Sequence, residues 1–187
     1  MGASLASLAE EFAHPTFISF PVIAARLLFA ALLGTAIGFE REWKARPAGL
    51  RTHILICVAA ATVGILTIEI AHSPAFGTKE TMVDPLRAVE AVTAGVAFLA
   101  AGSILFARGK VQGITTGAGM WMAGAVGLSC GFGLWQIAGL GTFLILVVMG
   151  LLHRFEVRTG IAADKKQTAP AGKARDGQNG PTLNSPP

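Results

Sequence analysis

Charge is scarce in this chain. Of its 187 residues, 14% are Asp, Glu, Lys or Arg, where a soluble domain carries about a quarter, so there is too little polar surface to cover a water-facing globule. Cysteine is scarce too. Cys57 and Cys130 sit in separate apolar runs with no C-x-x-C or Cys/His metal spacing, which fits two small buried side chains. The first 25 residues lack Lys and Arg, so no positive n-region of a cleavable signal peptide is present and the first apolar run is expected to be retained. Catalytic signatures are missing as well: no H-E-x-x-H, no G-x-S-x-G and no Walker glycine loop, while Ser103 has no His near it in sequence. No enzymatic activity and no cofactor are therefore expected. The pI of 9.5 suggests nucleic acid at first sight, but no basic face with stacking aromatics accompanies it, and nucleic acid is set aside as a partner.

What remains is apolar. Hydrophobic residues make up 52% of the chain, with 23 glycines and a mean hydropathy of +0.59, the composition of an integral membrane protein. Five runs approach the roughly 20 apolar residues that a membrane helix needs: 17–39, 52–70, 88–106, 114–130 and 134–152. The expected fold is an all-α compact bundle of five transmembrane helices. The fourth run is the weakest, diluted by Thr115, Thr116 and its glycines. Residues 1–16 form an extracytoplasmic N-terminal segment in this reading, 17–155 the transmembrane domain, and 156–187 a disordered cytoplasmic tail too polar to offset its ordering entropy.

Basic residues set the orientation, because cytoplasmic loops retain them. One set of connectors holds only Lys79 and Arg87; the alternate set holds Arg41, Lys44, Arg46, Arg51, Arg108, Lys110 and the six bases after the last run. The N-terminus is expected outside and the C-terminus in the cytoplasm. Cys57 and Cys130 then lie toward opposite ends of their helices, beyond the Cα separation of about 4.4 to 6.8 Å that a disulfide tolerates.

Small residues recur at helix-packing spacing: Gly34/Gly38, Gly113/Gly117 and Gly127/Gly131, with Ala97/Ala101 and Phe98/Gly102 in the third run. Lipid removes the hydrophobic drive for helices to associate, so such positions matter for close approach, either within the chain or in a homo-oligomer.

The segments RLLFAALLGTAIGFEREWKARPAGLRTH (Arg26 to His53), DPLRAVEAVTAGVAFLAAGSI (Asp84 to Ile104) and KVQGITTGAGMWMAGAVGLSCGFG (Lys110 to Gly133) resemble the MgtC/SapB family of bacterial inner-membrane proteins. Ala97 and Ala100 stand where that family usually has glycines, and Ala91 where it often has Gln. The resemblance implies a cell inner membrane protein linked to adaptation to low magnesium through regulation of other membrane complexes, among them the F-type ATP synthase and ion or phosphate uptake.

Among the charges, Arg26 lies about nine residues into its run, and Glu69 and Glu90 are the acids available to it. They form either a structural ion pair or a polar cavity opening outward. Glu40, Arg41, Glu42, Arg51 and His53 belong to the charged connector between the first two runs. Its bases suit anionic headgroups or phosphate, Glu40 and Glu42 are weak candidates for a magnesium ligand, and Glu40 with Lys44 has the i,i+4 spacing of a helix ion pair. Asp84 is placed to cap the third helix with Pro85 in its first turn, and Arg87 follows. Two functions stay open: a regulatory protein acting on larger membrane complexes, and a small oligomeric magnesium transporter or channel built around Arg26, Glu69, Glu90, Thr93 and Thr116. No convincing inverted repeat supports the second.

Overall fold

The computed structural model of the chain describes residues 16–44, 46–73, 84–107 and 110–158. The N-terminal segment before residue 16, Lys79, and the expected tail from residue 159 lie outside the described residues. Two compact units divide between Val147 and Val148, and the second is described only as the end of its helix.

Among the described residues the chain forms five helices: α1 (Phe20–Trp43), α2 (Leu50–His72), α3 (Pro85–Ser103), α4 (Ile114–Gly131) and α5 (Trp135–Arg158). Among the described residues the architecture is all-α apart from one short hairpin. In it β1 (Leu105–Ala107) pairs antiparallel with β2 (Lys110–Gln112), Phe106 opposite Val111. This corrects the expected third span, which ran to residue 106: the backbone leaves the helix after Ser103. α1, α2 and α3 are long and apolar enough to cross a membrane, and α5 carries a shorter apolar stretch over Trp135–Leu151. The molecule is a membrane protein.

Each helix end has a local cause. Pro21 sits in the first turn of α1, where its missing N–H costs nothing. Asp84 caps α3 by accepting the Leu86 N–H at 2.9 Å. Gly113 holds φ +92° at the start of α4, a conformation open to glycine at little cost. α4 ends in a Schellman turn: Gly133, at φ +78°, donates its N–H to Cys130 O at 3.0 Å, and Leu134 donates to Ser129 O at 2.8 Å.

α4 is the hub, packing on α1, α2 and α3. Eleven of its eighteen residues are buried, so protein rather than lipid covers it, and a modest hydropathy suffices. The contacts are backbone to backbone. A Cβ on Gly127 would lie 2.7 Å from Cys57 Cα, and one on Gly131 would lie 2.9 Å from Ala61 Cα. Likewise a Cβ on Gly38 would lie 2.7 Å from Leu50 Cα, and one on Gly34 would meet the His53 carbonyl oxygen at 2.9 Å. Gly34/Gly38 and Gly127/Gly131 thus serve packing inside the chain. Ala100 rests on the open face of Gly117, which absorbs the methyl that the family's usual glycine lacks.

α3 is peripheral, burying only Val96 and Ala100. Its outer face exposes Ala94, Phe98, Ala101 and Gly102. Between α2 and α3 an apolar cleft of about 390 Å³ is lined by residues such as Leu55, Ala59, Val92 and Leu99. Cys57 and Cys130 are both buried as free thiols.

Candidate functional site

The charged stretch that the sequence places in a connector lies largely on helices. Glu40, Arg41 and Glu42 occupy the last turn of α1, and Arg51 and His53 the first turn of α2. The helix continues past the apolar run because its charges are engaged. Lys44 forms a salt bridge with Glu40 across one turn. Arg41 turns inward, 2% exposed, and donates from Nη2 to Thr116 Oγ1 of α4 at 2.7 Å. The Arg46 N–H closes the end by donating to Arg41 O at 3.1 Å.

Glu42 reaches over the following turn and accepts the Leu50 N–H at 3.1 Å. A carboxylate at the N-terminus of α2 meets both a free N–H and the positive end of the helix dipole. Gly49 leaves it room: a Cβ there would collide with the Glu42 carboxylate. His53 is fully buried, with Nδ1 on Gly49 O at 2.9 Å, so Nδ1 carries the proton and Nε2 is left without a partner. Arg41 Nε is also buried and unpartnered. Arg51 is exposed.

At the opposite end of the bundle, Arg26 pairs with neither acid offered by the sequence. Its Nη1 donates to Gly131 O at 2.7 Å. The Schellman turn explains this choice, because it ties up Cys130 O and Ser129 O and leaves the Gly131 carbonyl at the negative end of the α4 dipole for a cation. Gly133 lies flat against the guanidinium, since a Cβ there would sit 2.8 Å from Arg26 Nη2. Arg26 therefore caps a helix. Glu69 accepts the N–H groups of Phe17 and Ile18 at 2.7 and 2.8 Å, and His72 stacks on Phe17 at 3.8 Å. Glu90 and Arg87 are exposed on α3 near Asp84.

The structure thus brings Arg41, Thr116 and His53 to one end of the α1–α2–α4 core and Arg26 to the other, and keeps Glu69 and Glu90 apart from Arg26. Among the described residues no group of three or more His, Cys, Asp or Glu gathers to hold a metal ion. Of the weak metal candidates, Glu40 is engaged by Lys44 and Glu42 by the α2 N-terminus. Thr116 as the anchor of Arg41, and the Gly131 carbonyl as the partner of Arg26, were not legible from spacing. A helix-ending glycine pair, Gly131 and Gly133, is the one sequence signal that points to the second.

A helical membrane protein with a glycine-closed core and its cations turned toward helix ends is the class that fold and site define. The chain belongs to the MgtC family, matching it over residues 27–158. It is 39% identical over 131 residues to MgtC of Brucella abortus (strain 2308), covering 70% of this chain and 51% of that one. It is 36% identical over 139 residues to SrpB of Synechococcus elongatus, covering 70% and 75%. With YhiD of Escherichia coli (strain K12), whose name proposes magnesium transport, it shares 33% identity over 133 residues, covering 71% and 61%. The chain therefore spans between half and three quarters of these relatives. No solved structure matches it.

Proposed function

We propose that this chain is a non-enzymatic regulatory protein of the bacterial inner membrane, acting on other membrane complexes during adaptation to low magnesium. Five spans, with the charged α1–α2 end in the cytoplasm, belong to this proposal. The observation that carries it is how the core spends its polar groups. The buried Thr67 and Thr142 each donate to a carbonyl one turn back in their own helix, and Arg26 is bound to a backbone carbonyl. Where the helices touch, glycines bring backbones into contact. That arrangement supports closing a bundle more than lining an ion path.

The surfaces left for partners are the exposed Arg46 and Arg51 beside Glu42, and the small-residue face of α3. Small residues let a foreign helix approach closely, and the F-type ATP synthase is one complex with membrane helices to offer. Crosslinking in cells grown at low magnesium tests this. Capture of a defined membrane complex, lost in Arg51→Ala while the variant still inserts, is the expected result; no complex captured by wild type contradicts it.

The second reading, an oligomeric magnesium transporter or channel, takes its support from the name of the relative YhiD. It requires several copies, because one copy closes on itself.

A further inference from the structure

The geometry points to a binding site for a phosphate-type oxyanion at the junction of α1 and α4, where the buried Arg41 guanidinium meets the bare N-terminus of α4. Arg41 is 2% exposed, yet its described partner is a neutral hydroxyl, Thr116 Oγ1. Its Nε is buried with no partner at all. The preceding carboxylate, Glu40, is engaged by Lys44 in the one ion pair found among the described residues. A buried cation without an acid is costly, and such a group calls for a counter-charge.

The helix it faces makes the deficit larger. Thr116 lies in the first turn of α4, so the guanidinium sits at the positive end of the dipole rather than the negative one. That first turn has no acidic residue and no side-chain cap. Nor can a capping side chain be supplied: at Gly113 a Cβ would collide with the Ser103 carbonyl, and φ is +92°. No side chain of the described residues caps the first-turn N–H groups, and helix N-termini of this kind accept oxyanions.

Two cationic features converge here, and among the described residues no carboxylate is bonded to either: Glu40 acts on Arg41 only through space and is engaged by Lys44. A tetrahedral oxyanion matches both the forked donors of arginine and the row of backbone N–H groups. The depth also fits a headgroup: α1 gives way here from apolar to charged residues, and Trp43, 81% exposed, stands at the same level. The open side is at Ile114 and Thr115, both exposed. The phosphate belongs either to an anionic phospholipid or to free inorganic phosphate. The site stands or falls independently of which complex the protein contacts.

The full chain, purified in neutral detergent, is titrated separately with inorganic phosphate, short-chain phosphatidylglycerol and phosphatidylcholine, with binding followed by thermal shift and by native mass spectrometry. A response to phosphatidylglycerol alone assigns a lipid headgroup; a response to inorganic phosphate as well assigns the free ion. In either case Arg41→Lys, which keeps the charge and loses the Nε donor, weakens binding by roughly tenfold or more, while Arg87→Gln leaves it unchanged. If Arg41→Lys does not fold, Thr116→Val, which releases the guanidinium from α4, gives the same weakening. Equal response to phosphatidylcholine and phosphatidylglycerol with none to phosphate overturns the site, and so does full binding by whichever of these two variants folds. Arg41 then holds water alone.

Discussion

Replacing Gly127 by Ala tests the packing on which the bundle rests. The added methyl would lie 2.7 Å from Cys57 Cα and 2.8 Å from its carbonyl carbon, where carbon atoms normally rest about 3.5 to 4.0 Å apart. An overlap of roughly 1 Å against backbone cannot be relieved by a side-chain rotation, so α2 and α4 must separate. Overpacking of this kind costs about 1 to 3 kcal/mol. Alanine also gains up to about 1 kcal/mol of helix propensity over glycine, which obscures the cost in a single variant. Gly95→Ala removes that ambiguity, because a Cβ on Gly95 meets nothing within 4 Å. Propensity cancels in the comparison and the packing cost remains. At roughly 2 to 4 °C per kcal/mol for a chain of this size, Gly127→Ala should melt about 2 to 12 °C below Gly95→Ala in detergent. Equal melting temperatures would refute the close α2–α4 contact.

Other perturbations discriminate among the roles assigned to the charges. Arg26→Gln should destabilise the chain by about 1.5 to 3 kcal/mol through loss of the charged bond to Gly131, with faster hydrogen exchange at the end of α4, whereas Glu90→Gln should leave melting unchanged. Glu42→Ala should cost about 0.5 to 1 kcal/mol by baring the start of α2, and Glu42→Gln, which can still accept the Leu50 N–H, should recover most of it in the same melting assay. A labelled maleimide should leave Cys57 and Cys130 unmodified in the folded protein and react with both after denaturation, since both thiols are buried.

Hydropathy located the helices but not their ends. It stops α1 at the first charges, while the backbone continues to Trp43 because Glu40 pairs with Lys44 and Arg41 finds a buried hydroxyl on α4. Such a tertiary contact leaves no trace in local composition. The start of α4 was legible because the apolar pattern resumes after Gly113, whereas strands of three residues are too short to carry a period, and the hairpin after Ser103 went unseen. The glycine spacings were legible as packing signals. Which of them meet a neighbour was not: Gly127 and Gly131 do, while Gly102 on α3 faces open space. For Arg26, pairing by charge chose the acids Glu69 and Glu90, but the Schellman turn sets a free carbonyl nearer to hand, and Glu69 is committed to the chain entering α1. Opposite charges are visible in a sequence; a helix dipole offered by a distant turn is not.

The claim that the bundle closes on itself and regulates other complexes, rather than carrying ions, is tested most directly by magnesium flux. Purified protein is reconstituted into liposomes holding a magnesium-sensitive dye, with a proven magnesium channel as the positive control. No uptake above protein-free vesicles, under an imposed gradient and membrane potential, is the predicted result. Robust uptake that disappears in Glu40→Ala or Glu90→Ala would contradict it.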